Sequence, residues 1–418
     1  MKNHFLRRAM LLLAAMPILA TAQDATCKPS GDDSDLKSLY EIVSKHEQKS
    51  KALNFFINFS GGYQVLNDSR ESGWSSRLHN RSLSLEMSGW VTDNIYYRLR
   101  HHLNRPNDIP GYDGFGKATD YMMVRWRFND HWAIEVGKKC QALGAFEFDE
   151  NPLYVYQYSD IEYNLDSPQA AINLVYNVNP DHQFTAEVSN TYSGKFEKEF
   201  GENAWLTTGR YVDDATSGEK KLEMELLEKI NHPLTYAVGW NGSFFDGLLE
   251  NHWSYMHRAQ AKHKYSRFVR LGQKLNFSRL QWYVDYNMTY DDLDRMKIAS
   301  GEIRDVMSSP EENVYLGKVR YQGIVSKMNW QFASAWNLVL KGTYETASVT
   351  KSEQFKNYRK AYGYVGSVEY YPAMKQKQDL RLFLSYMGRK YQYNKASQLV
   401  DYNTNCVEIG LMYRMKIY

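Results

Sequence analysis

The sequence predicts an all-β chain: a transmembrane antiparallel β-barrel of about sixteen strands, preceded by a short N-terminal helix. Three observations lead there. Segments with one apolar and one charged face recur along the chain, short turns alternate with long polar excursions, and an export signal is followed by no window of about eighteen uncharged apolar residues. The hairpin YMMVRWRFNDHWAIEVGKK, residues 121–139, shows the first most plainly. Met122, Val124, Trp126 and Phe128 share one parity and Arg125 and Arg127 the other; beyond Asn129-Asp130, Trp132, Ile134 and Val136 alternate with Glu135. Successive side chains on a strand point to opposite faces, so this hairpin is greasy on one side and charged on the other.

Taken in order, residues 1–22 read as a cleaved signal peptide: Lys2, Arg7 and Arg8 precede the apolar run Met10 to Ala20, and Ala20-Thr21-Ala22 offers a cleavage site. Cys27 lacks the small-apolar residues that precede a lipidated cysteine. Residues 23–52 form a periplasmic segment in which Leu36, Leu39, Val43 and His46 have helical spacing and Ser34 or Asp35 can cap the start. Residues 53–418 are read as the barrel, with period-two segments from Leu53 to Ile417. Short turns are expected at 92–93, 129–130, 179–181, 231–233 and 334–335. Long excursions are expected near 65–79, 104–117, 141–167, 194–217, 246–262 and 291–312. The segment 220–230, KKLEMELLEKI, fits a helix as well as a strand because its leucines and glutamates favour one.

Composition narrows the function. Aromatic residues reach 15%, with 33 Tyr, and the net charge is only +3, which gives no electrostatic ground for nucleic-acid binding. Three cysteines, at 27, 140 and 406, are too few and too scattered for a disulfide framework or a metal cluster. No G-x-S-x-G, H-E-x-x-H or phosphate-cradling glycine loop occurs, so neither an enzyme nor a cofactor is expected.

In hydrocarbon an unpaired backbone group costs several kcal/mol, so a sheet crosses a bilayer only by closing on itself. Lipid then takes the Trp126, Trp132 and Val136 face and water the Arg125 and Arg127 face. About sixteen strands leave an aqueous channel. Parity assigns Arg98, Arg100, Arg125, Arg127, Lys139, Lys318, Arg320, Arg381 and Arg414 to the lumen, together with Arg270, Lys274, Lys341, Arg389 and Lys416. Inward acids are fewer: Glu86, Glu135, Glu187, Asp285, Glu345, Glu369, Asp379 and Glu408. A surplus of cations in a narrow low-dielectric passage favours anions, whereas cross-strand pairing would only keep the lumen wet. The long loop 141–167 carries Tyr154, Tyr156 and Tyr158, candidates for a constriction if the loop folds inward.

The stretch DYMMVRWRFNDHWAIEVGKKCQALGAFEFDENP resembles the porin O and P family, the phosphate-selective porins. The Gly137-Lys138 motif after the hairpin and the Gly144 to Glu147 stretch carry the likeness, and LEMSGWVTDNIYYRLRHHLN is similar to the preceding family hairpin. The resemblance implies a sixteen-stranded passive channel for small anions, a homotrimer embedded in outer-membrane lipid, with the third loop folded inward. Such a chain would be inserted by the barrel assembly machinery. The competing expectation is a surface-exposed structural or adhesive barrel with a blocked lumen.

Overall fold

The computed structural model describes residues 52–418 apart from 109–110, 112, 214–218 and 308–310. The signal peptide and the helix expected over residues 33–51 lie outside the described residues. The first strands are β1 (Asn54–Asp68), β2 (Ser75–Thr92), β3 (Ile95–His102), β4 (Thr119–Arg127), β5 (Trp132–Lys139), β6 (Gln169–Asn179) and β7 (His182–Asn190). There follow β8 (Trp205–Asp213), β9 (Lys220–Leu226), β10 (Leu234–Phe244), β11 (Leu249–Ala261), β12 (Lys264–Asn276) and β13 (Leu280–Asp291). The last are β14 (Val314–Leu316), β15 (Val319–Ala333), β16 (Trp336–Val349), β17 (Arg359–Tyr370), β18 (Asp379–Tyr393) and β19 (Tyr402–Lys416).

All but β8, β9 and β14 form one closed antiparallel barrel of 16 strands, sealed where β1 pairs with β19 from Phe56↔Lys416 to Asp68↔Thr404. Closure leaves no edge, as crossing lipid requires. Among the described residues no helix is long and apolar enough to cross a membrane. In β13, Tyr283, Asp285, Asn287, Thr289 and Asp291 point to the lumen and are buried, while Trp282, Val284, Tyr286, Met288 and Tyr290 form the outward face. At the short-turn end the outward aromatics gather into pairs, with Trp132–Tyr176 at 4.5 Å, Trp126–Phe128 at 4.6 Å and Trp336–Tyr370 at 4.7 Å. Amphipathic rings favour that interfacial depth.

Short and long connections alternate over most of the barrel, with four departures from the expected layout. The excursion expected near 65–79 is mostly strand, since β1 runs to Asp68 and β2 begins at Ser75. The segment expected as an excursion over 246–262 is strand β11, flanked by tight turns. Residues 231–233, expected as a short turn, instead end a long excursion, L4 (191–233). Lys220 to Leu226 is a strand, but it lies outside the barrel in the small sheet β14–β8–β9 built from L4 and L6 (292–318). This sheet packs on the loops of the long-loop side: its Leu222 is buried with Ile161 of L3 (140–168) and with Ile303 and Met307 of L6. Leu206 and Tyr315 of the sheet are buried together with Tyr192, Phe200, Leu227 and Leu293. The adjoining helix Ile298–Met307 buries Ile303 and Met307 in the same cluster as Val319, Val349 and Phe355.

Candidate permeation path

Loop L3 (140–168) folds into the lumen, and carboxylates of the barrel wall hold it there. Two one-turn helices, Phe146–Asp149 and Asp160–Tyr163, present unsatisfied backbone N–H groups at their starts. Asp285 on β13 accepts from the amides of Phe146 at 3.1 Å and Glu147 at 2.8 Å; Glu345 on β16 accepts from those of Asp160 and Ile161, both at 2.8 Å. Ion pairs add Glu147–Lys341 at 2.6 Å, Glu162–Arg270 at 2.8 Å, Glu150 with Lys327, and Asp160 with Arg359 and Arg389. The three tyrosines expected at a constriction tie the loop to the wall: the Tyr154 hydroxyl donates to Asp379 and that of Tyr156 to Glu369 at 2.8 Å, while the Tyr158 carbonyl accepts from Arg389. Burial opposes ionisation of Glu147, but Lys341 and Ser159 beside it hold its carboxyl below the ordinary value. For Glu162 burial wins over Arg270 and pushes the carboxyl up to about 7.

Around L3 the open space forms a series of chambers, the outer and middle ones reaching the wall of β2, β3 and β4 and the inner one lying against β12 to β18. The outer chamber, about 660 Å³, is lined by Arg81, Arg105, Arg359 and Arg389 with Tyr156, Tyr158, Tyr163 and Tyr391. The middle one, about 480 Å³, has Arg98, Arg100 and Arg414 on the wall and Asp149, Glu150, Tyr158 and Glu162 on the loop. The inner one, about 180 Å³, is lined by Lys274, Lys327 and Arg381 with Glu150 and Glu369. Outer and middle chambers share Arg105, Pro152, Tyr158 and Tyr163, and middle and inner share Asp149 and Glu150, so the three adjoin.

Most of the basic residues singled out from the sequence face this lumen, already paired. Arg98 meets Glu86 at 2.8 Å, Arg100 meets Asp120 at 2.7 Å, Arg125 meets Glu135 at 3.4 Å, and Arg381 meets Asp379 at 2.9 Å. Arg414 lies 3.6 Å from Glu86 and covers the Phe56 ring. Arg127 donates to the Asp93 carbonyl at the short-turn end. Gly137 adopts φ +128, where a Cβ would overlap the Met122 carbonyl. That twist lets consecutive lysines find partners, Lys138 at the Gly116 carbonyl and Lys139 at Glu187, 2.6 Å away.

Two expected lining residues are misplaced. Arg320 shares the outward face of β15 with Ile324, Met328 and Trp330, because Val319, Tyr321, Val325 and Lys327 turn inward. The inward face is partly apolar here because L3 and L6 pack on it, Phe146 against Val325 and Ile303 in the cluster of Tyr321. Lys318, at φ +56, belongs to the turn that ends L6 and pairs with Asp292 at 2.6 Å. The sequence reading also passed over Arg81, Arg105, Lys327 and Arg359. Arg359 was within reach, two residues before the inward Ala361. Arg81 is the extra residue of a bulge, since Ser60 pairs with Ser82 and Gly61 with Asn80, and a bulge defeats parity. Arg105 lies in L2 (103–118), which has no periodicity to read.

The family model for phosphate-selective porin O and P matches residues 54–415. The chain belongs to this family. It is an outer-membrane porin, a channel. Among solved structures the porin resembles the outer-membrane channel DcaP of Acinetobacter baumannii, with TM-score 0.56, 8% identity, and 87% of this chain and 97% of that one covered. It also resembles an anion-selective porin from Comamonas acidovorans, with TM-score 0.53, 9% identity, and 87% and 99% covered. A trimer form of OmpT from Vibrio cholerae aligns with TM-score 0.51, 11% identity, and 87% and 99% covered. These likenesses show the fold. No curated protein sequence matches the chain. In this porin L3 lies inside the lumen, with Arg98, Arg100 and Arg414 of the wall lining one chamber together with Asp149, Glu150 and Glu162 of the loop.

Proposed function

We propose that this porin admits small hydrophilic solutes by passive diffusion and prefers anions, phosphate among them, with the preference set in the outer chamber. The observation that carries this is the charge of that chamber: four arginines, Arg81, Arg105, Arg359 and Arg389, against Asp160 and Glu302 in the lining and Glu408 behind Arg81. Arg359 engages Asp160 and Glu302, Arg389 shares Asp160, and Arg105 has no carboxylate partner among the described residues. Below it the charges are nearly matched, so the mouth rather than the whole bore selects. Export by a cleaved signal peptide fits the N-terminal sequence.

A homotrimer is supported by strand length. β3, β4 and β5 have 8, 9 and 8 residues, which at the usual rise and tilt reach about 20 Å, short of a roughly 25 Å apolar band. A neighbouring copy would cover that low wall. Planar-bilayer recording under a potassium chloride gradient tests the reading: stepwise conductance with a reversal potential on the chloride side is expected. No conductance at all would favour a blocked, adhesive barrel instead.

A further inference from the structure

We infer that the outer chamber is a binding site for a ring-bearing, hydroxylated organic anion, of which a sugar phosphate is the simplest example. The inference rests on the porin reading above and adds the solute class. Size is the first ground. A cavity of about 660 Å³ falls in the range of roughly 300–1,000 Å³ that encloses drug-sized ligands, and an inorganic anion of a handful of atoms would fill little of it.

The lining is the second. Tyr163 projects from L3 into the chamber, 76% exposed, with Tyr158 beside it in the lining, whereas Tyr156 packs its ring against Phe383 and Arg81. Tyrosine ring faces pack against the C–H face of a sugar ring, a contact that a bare phosphate cannot use. Gln157 and Asn164 lie among them as hydrogen-bond partners for hydroxyls.

Charge and position are the third. Arg105 is exposed and has no ion-pair partner among the described residues, so its fork of donors is available to a phosphate or carboxylate. It stands with Tyr158 and Tyr163 in the neck shared with the middle chamber. A solute held there has its ring on L3 and its anionic group toward the wall bearing Arg98 and Arg100.

The test is block of chloride current through the purified porin in planar bilayers, with glucose 6-phosphate, inorganic phosphate and glucose each added on the long-loop side. Glucose 6-phosphate is expected to half-block at a concentration about tenfold below that of inorganic phosphate, with glucose inert. Tyr163→Ala, at an exposed loop position, should raise the half-blocking concentration of glucose 6-phosphate by about two- to tenfold and leave that of phosphate alone. Arg105→Gln should weaken both. Equal block by the two phosphates, or a Tyr163→Ala effect of the same size on both, overturns the inference. Chloride-over-potassium preference in the same membranes reports separately on the porin reading.

Discussion

Glu162 meets Arg270 at 2.8 Å, yet its burial in L3 leaves the carboxyl protonating near about 7. A carboxyl raised above its unfolded value holds a proton in the folded chain that the unfolded chain releases. Its ionisation therefore costs stability as pH rises from roughly 4.5 through 7, and the cost is absent below that window. The same titration alters the middle chamber, which Glu162 lines. Lowering pH from about 8 to 6 removes a negative charge there and should raise the anion-to-cation permeability ratio, read from reversal potentials. Glu162→Gln should flatten that dependence; an unchanged slope in the variant would contradict the assignment. At Glu345 the effect is mechanical. Glu345→Ala strips the acceptor from the Asp160 and Ile161 amides and should lower stability by about 1–3 kcal/mol in urea unfolding of the detergent-held protein.

At the scale of elements, L3 behaves as a clamped part rather than a tether. Lys341 and Glu147 are both buried, and removing one partner strands the other. Lys341→Ala should cost about 3–5 kcal/mol, while Lys341→Met combined with Glu147→Gln should recover most of it, as unfolding midpoints would show. The register of β15 offers a cleaner check. Arg320 points away from the lumen, so Arg320→Ala should leave the reversal potential where it is, whereas Arg98→Ala should shift it toward cation permeability. The hairpin at 121–139 was legible because its faces meet different solvents along its whole length. β11 was not: Met256 is buried on its inward side, His257 stands on its outward side, and L3 lies against it through His252 and Asp149. Alternation fades wherever a loop lends the lumen an apolar surface.

For the molecule as a whole, the barrel is complete without the L4 excursion, since β7 pairs directly with β10 from Leu234↔Asn190 to Gly242↔His182. Deleting residues 205–226 should leave a detergent-resistant β-barrel and raise single-channel conductance by removing the β8–β9 hairpin from the loops of the long-loop side. Circular dichroism and bilayer recording measure the two outcomes, and a lost barrel or a lowered conductance would contradict that expectation. The sequence by itself determined the strand faces, the need for closure and the inward parity of Arg98, Arg100, Arg381 and Arg414, because a period of two is local information imposed by lipid on one side and water on the other. Only the tertiary structure decided which of those cations are neutralised, where L3 lies, and that Arg105 stands at the neck. Those outcomes depend on partners such as Glu345 and Asp160, 185 residues apart, brought together by barrel stagger and by bulges that no local pattern encodes.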